Sequence, residues 1–340
     1  MRRTTATLAL QGGGSHGAFT WGVLDQLLED GRIDIRAISG ASAGAMNAAA
    51  FAYGELLGGR DGARQALKAF WDAVAASAPP NFFIPIDWSQ ANGLLVKPTP
   101  AFRAYLSMVR FFAPYQLNPF DLNPLRDILA TQIDFDRLRT DCRLDLFIAT
   151  TRVSTGTLRL FRTRELSPDV MLASACLPAV HKTVMIDGEG YWDGGLTANP
   201  PLYPLLHESD ARDLIAVLLH PCRWPDEPTT ASEISQRLTE ISFGAAFFSE
   251  LKGIALAQRE ARRSLLAWGH LERRLRRLNL HVIDAPELMG TLDSISKLNA
   301  QASFLAALRD AGRQWAAAWL DRNGTSLGVQ STYDLSRLLT

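Results

Sequence analysis

Ile35-Arg36-Ala37-Ile38-Ser39 runs directly into Gly40-Ala41-Ser42-Ala43-Gly44, and then into Ala45-Met46-Asn47-Ala48-Ala49-Ala50-Phe51-Ala52. The first piece reads as a short buried strand and the last as an alanine-rich helix. Between them a G-x-S-x-G pattern predicts the sharp strand-to-helix turn that lifts a serine hydroxyl, here Ser42, clear of the backbone. Such a turn is strained and brings backbones together, so residues without side chains are needed at Gly40 and Gly44. The following helix aims its N-terminal N–H groups and positive dipole end at the same spot, which favours developing negative charge there. A Gly/Ser turn without chemistry satisfies the same bare pattern, so the surroundings must decide.

One strand upstream, Thr7-Leu8-Ala9-Leu10-Gln11 leads into Gly12-Gly13-Gly14-Ser15-His16-Gly17 and then a helical pattern over 18–28. Successive glycines leave their N–H groups unobstructed, so Gly12, Gly13 and Gly14 read as a concave donor nest for an oxyanion or a phosphate. With Gly17 the segment also satisfies G-x-G-x-x-G, the mark of a dinucleotide-binding fold. That fold wants an acid at the end of the second strand, where this chain has its serine turn; Glu29, Asp30 and Asp34 all precede the strand. Dinucleotide binding is therefore disfavoured.

A serine nucleophile needs a base. Tyr191-Trp192-Asp193-Gly194-Gly195, followed by Asn199-Pro200-Pro201, offers Asp193, with glycines that allow a tight bend and close approach of another loop. An exposed Asp, with a pKa near 3.9, is a poor base at neutral pH. Shielding by the preceding aromatics would raise its proton affinity toward a useful range. A plain hairpin turn is the alternative, since Asp-Gly-Gly is good turn chemistry anywhere.

Together, the glycine loop, the G-x-S-x-G elbow and the D-G-G segment resemble the patatin-like phospholipase family, over roughly residues 6–205. The resemblance implies an α/β, three-layer αβα fold with a mainly parallel sheet, and acyl-ester hydrolysis by a Ser–Asp dyad. It implies Ser42 as nucleophile, Asp193 as its base, and Gly12, Gly13 and Gly14 as oxyanion-hole donors; no cofactor is required, and His207, His270 and His281 show no metal-ligand spacing with any carboxylate or cysteine. Gly17, Gly40, Gly44, Gly194 and Gly195 support these motifs, and Ala173-Ser174-Ala175-Cys176-Leu177-Pro178 matches a further family block. One position departs: many members carry Arg in the glycine loop where this chain has His16, which weakens the case for a phospholipid in particular. Hydrolysis of intracellular polyester or 3-hydroxyacyl oligomers, acyl transfer, and a catalytically silent regulator are the competing readings.

Composition bounds the rest. Lys+Arg and Asp+Glu each total 35 in 340 residues, so there is no basic excess to bind nucleic acid. An apolar share of 47% fits a folded enzyme and excludes general disorder. The three cysteines, Cys142, Cys176 and Cys222, are widely spaced and suggest neither a disulfide framework nor a metal site. The apolar run after Met1-Arg2-Arg3 is too short for a signal peptide, and no apolar window is long enough to span a bilayer. A cytoplasmic protein is expected, with peripheral membrane contact open.

Along the chain, 6–222 reads as the acyl-hydrolase domain and 231–340 as a largely helical extension packed on it. Within the first, 79–124 is an aromatic, proline-rich insertion with the character of a cap or lid over an acyl pocket; a buried flap or a homodimer face is the alternative. Asp213 to Leu219 is nearly all apolar, as befits a central parallel strand. It ends at His220, which would complete a Ser42, Asp193, His220 triad in α/β-hydrolase order. Residues 232–279 read as one or two long helices, 280–283 as a last strand and 303–320 as a final amphipathic helix. The arginines between 259 and 277 read either as a solvated face or as a contact for anionic lipid head groups.

Overall fold

The computed structural model describes residues 3–78, 111–220, 227–263, 269–292 and 294–339. Strand β1 (Thr4–Leu10) and strand β2 (Ile33–Gly40) pair in parallel, joined through helix α1 (Gly17–Asp30) in the crossover that parallel pairing demands. Helix α2 (Ala43–Ala76) follows the serine turn and is broken at Gly58 and Gly59, the latter in the left-handed region at φ 60°. Next come α3 (Pro124–Gln132) and α4 (Phe135–Asp141), each N-capped by an acidic or amide side chain, Asn123 and Asp134.

Strands β3 (Asp145–Arg152) and β4 (Thr157–Arg162) form an antiparallel pair, and α5 (Pro168–Ser174) precedes a hairpin of β5 (Val184–Ile186) and β6 (Glu189–Asp193). After α6 (Tyr203–Glu208) the chain enters β7 (Asp213–Val217), buried at all five residues and paired in parallel with β1. Helices α7 (Ala231–Arg263) and α8 (His270–Arg277) then lead to β8 (Asn279–Ile283) and α9 (Ala302–Asn323). Asn279 therefore opens a strand, not a helix end, and β8 adds a parallel edge to β7. The eight strands of the described residues lie in one sheet, parallel in its centre and antiparallel beyond β3.

Strand alternation divides the core into two sides. Leu8, Leu10, Ile38 and Ile215 face a layer containing α1, α2 and α9, whereas Ala9, Ala37 and Ala216 face a layer containing α6, α7 and α8. The result is the three-layer arrangement with a helical C-terminal region. Helix α9 is bound closely into this core: a Cβ on Gly22 would lie 2.0 Å from Arg309 O, and one on Gly312 would lie 2.1 Å from Phe19 O. Two backbones meet there with no room for a side chain, while Phe304, Leu305 and Leu308 are buried alongside. Of the aromatic insertion, 79–110 lies outside the described residues; in its remainder Phe111, Phe120 and Leu122 are exposed. Cys222 also lies outside them.

Candidate active site

β1 and β2 end level with each other, Leu10 opposite Gly40, so the glycine loop and the serine turn leave the sheet side by side. Contact between them is tight. A Cβ on Gly12 would lie 2.7 Å from Ala41 O and 2.8 Å from Ser42 Cβ, and one on Gly44 would lie 2.1 Å from Leu10 O. Gly40 and Gly17 are similarly pressed, against Gly44 and Ala43. Ser42 takes the backbone angles φ 52° and ψ −124°, an arrangement that non-glycine residues rarely adopt. Its surroundings hold it there: the Ser42 N–H donates to both Ser174 O at 3.1 Å and Ser174 Oγ at 3.0 Å. Ser42 is half-buried, so its hydroxyl remains reachable.

Asp193 arrives at the same place through the register of β3. The β3 edge that pairs with β2 as far as Ile148 pairs with β6 from Thr150 onward, while β4 holds the opposite edge. β2 and β6 therefore meet end to end on one edge of β3, with Gly40 and Asp193 at the junction. Gly194 lies against Ala149, the residue between, where a Cβ would be 2.1 Å from the carbonyl oxygen. The backbone of Asp193 is held on both sides: its N–H donates to Cys176 O at 2.8 Å, and Thr151 Oγ1 donates to its carbonyl at 2.7 Å. The short Ser174-Ala175-Cys176 segment thus ties down both Ser42 and Asp193.

The Asp193 carboxyl is 1% exposed. Burial drives its pKa up to about 7, with the Gly195 N–H and the Ser42 hydroxyl each pulling it part of the way back. Oδ1 accepts from Gly195 N–H at 2.7 Å; Oδ2 has no partner in hydrogen-bonding geometry among the described residues. The serine hydroxyl is near enough to influence the acid without yet forming a good hydrogen bond.

The glycine loop changes one expectation. The Gly12 N–H donates to Asn199 Oδ1 at 2.7 Å and is not available to an oxyanion. Gly12 contributes closeness, not a donor. The N–H groups of Gly13, Gly14 and Ala43 donate to nothing among the described residues. The Asn199-Pro200-Pro201 segment acts as a clasp: Gln11 Nε2 donates to Asn199 O at 3.2 Å and Ser39 Oγ to Pro201 O at 2.6 Å. Sequence reasoning registered this segment only as a neighbour of the aspartate. Nothing in the spacing along the chain marks its asparagine as a partner of the glycine loop, 187 positions away.

The histidines do not join the dyad. His220 Nε2 accepts from Lys297 Nζ at 3.0 Å, and burial with the neighbouring Lys297 and His16 holds its pKa well below the usual range. The triad reading fails because Asp193 does not hold the ring: its Oδ1 accepts from Gly195 N–H and its Oδ2 has no partner among the described residues, while His220 Nε2 is on Lys297. His16 is buried, shares a 2.7 Å hydrogen bond with Ser296 Oγ, and has a pKa lowered to about 3 by burial and by Lys297. It is therefore neutral and does not replace the missing loop cation. Lys297, whose carbonyl packs on Gly14, is a basic residue beside this loop that sequence reasoning missed. His281 is likewise buried, in the middle of β8 and 2.8 Å from Asp213 Oδ1. Among the described residues no group of three or more His, Cys, Asp or Glu is placed to hold a metal ion.

Helix α7 closes one side of the site. Phe243 packs on Gly195, and the Glu250 carboxylate accepts the N–H groups of Leu202 and Tyr203 that open α6. A small cavity of about 110 Å³ lies between α7 and the strand ends, lined by Gln11, His220, Glu240, Ile241 and Phe248.

Comparison with known proteins follows the geometry. A family model for the patatin-like phospholipase matches residues 8–206. Among solved structures, the crystal structure of VipD from Legionella pneumophila aligns over 95% of this chain and 67% of that one, at 15% identity and a TM-score of 0.40. No curated protein sequence matches.

Proposed function

The chain belongs to the patatin-like phospholipase family, and from that premise we propose that it is a serine acyl-ester hydrolase of lipids with Ser42 as nucleophile and Asp193 as base. The observation that carries this reading is a serine in a strained turn beside a fully buried carboxyl whose pKa is raised to about 7 and whose Oδ2 has no partner among the described residues. Ser42 Oγ attacks the ester carbonyl carbon while Asp193 takes its proton. The tetrahedral oxyanion rests on the N–H groups of Gly13, Gly14 and Ala43, donors that need no reorganisation as charge develops. Collapse releases the alcohol, which recovers the proton from Asp193, and water then hydrolyses the acyl-enzyme with Asp193 again as base.

A fluorophosphonate probe tests the nucleophile and a lipid panel tests the class. The probe should label Ser42 in the native protein and nothing in Ser42→Ala. Phospholipid, triglyceride and hydroxybutyrate oligomers, each run against Ser42→Ala, identify the ester cleaved. Labelling elsewhere, or equal hydrolysis by Ser42→Ala, would sink the reading.

A further inference from the structure

A second cavity lies away from Ser42, at the opposite end of the sheet. It measures about 830 Å³, a volume suited to a small ligand, and forms where the last turns of α7 and α8 meet the segment after α9. Six arginines line it, Arg212, Arg259, Arg262, Arg263, Arg276 and Arg277, against one acid, Asp334. They come from three segments distant in sequence, so a single helix with a solvated basic face does not explain their convergence. Arg259 and Arg263 share Glu260 as a partner. Arg212, Arg262, Arg276 and Arg277 have no ionic partner among the described residues. Helix C-termini attract cations, but the two ends here offset only about one unit charge. Several positive charges therefore remain unbalanced in one recess of a chain whose formal net charge is zero.

We propose that this groove binds a compact, multiply phosphorylated small molecule. Guanidinium forks match phosphate oxygens in paired, charge-assisted hydrogen bonds, and clustered phosphates would bring together arginines that otherwise repel one another. The geometry favours a soluble ligand over a lipid head group. Arg212 and Asn279 stand at the starting ends of β7 and β8, whereas the serine turn and glycine loop leave the finishing ends of β2 and β1. Roughly 15 Å of strand separates the two ends, and a flat bilayer meeting the groove would face away from the ester-cleaving site. Helix α7 spans both regions, with Phe243 on Gly195 and Arg259, Arg262 and Arg263 in the groove.

The full-length protein, titrated calorimetrically with tripolyphosphate at moderate salt, tests the proposal. One equivalent should bind, and Arg276→Gln/Arg277→Gln should weaken it by about tenfold or more. Arg262→Gln, on a different element, should weaken it in the same direction, while Arg126→Gln and Ser42→Ala should bind as the native protein does. Circular dichroism melting of each variant separates lost contacts from lost fold. Absence of tripolyphosphate binding, equal binding by both groove variants while folded, or binding only to vesicles containing phosphorylated inositol lipids would overturn the proposal.

Discussion

At the scale of single residues, Asp193 carries the most consequence. A carboxylate stripped of water holds its proton, and here the pKa rises from 3.8 to about 7. Base catalysis needs the ionised form, so kcat/KM should climb with pH and level off above about 7 in a pH–rate profile. Asp193→Asn should remove that limb together with about 10³-fold or more of kcat. The same shift has a stability consequence of opposite sense. Because the folded pKa lies above the unfolded one, the native state gains from this group below pH 3.8 and loses that gain as pH rises through about 7. Asp193→Asn should therefore be more stable than native near pH 8, by up to about 2–4 kcal/mol, and gain nothing near pH 4; thermal melts at both values check it. His220→Gln should leave kcat within about tenfold of native, since Lys297 already occupies its Nε2; a loss as large as that of Asp193→Asn would restore the triad.

At the scale of elements, what matters is how separate loops are held in register. Asn199 joins the aspartate side of the site to the glycine loop through Gly12 N–H. Asn199→Ala would leave that buried donor unpaired, at a cost of about 1–3 kcal/mol, and should lower kcat more than it raises KM. Denaturant melts and ester kinetics on one preparation measure both effects. The contact between α1 and α9 is a second such joint. Gly22→Ala would place a Cβ on the Arg309 carbonyl and push the helices apart; a loss of about 2–4 kcal/mol is expected. The local pattern of these elements was readable beforehand, because it depends on residues a few positions apart. The clasp was not, because Gln11 and Asn199 are 188 positions apart and only the closed fold makes them neighbours.

At the scale of the whole molecule, the helical C-terminal region is part of the core that positions the site. β8 pairs along the full length of β7, and Phe304, Leu305 and Leu308 are buried in the cluster that also holds Phe19, Val23 and Leu24. A chain ending before Ala231 would expose this face of α1 and the open edge of β7, and should fail to fold cooperatively. The intact chain should melt in one transition by circular dichroism; a truncated chain that melts as sharply would show the region to be dispensable.

Sequence alone determined the alternation of strands and helices, the strained serine turn, the glycine loop and the aspartate before two glycines. Each is a local pattern, set by side-chain size, backbone freedom and hydrophobic period within a short window. Only the tertiary structure decided which groups face one another: β6 brings Asp193 to Ser42 along the edge of β3, Asn199 occupies the Gly12 N–H, and Lys297 captures His220. Such pairings arise when the sheet closes and water is excluded. No spacing along the chain records them, because the energies that select them act between atoms brought together only by the fold.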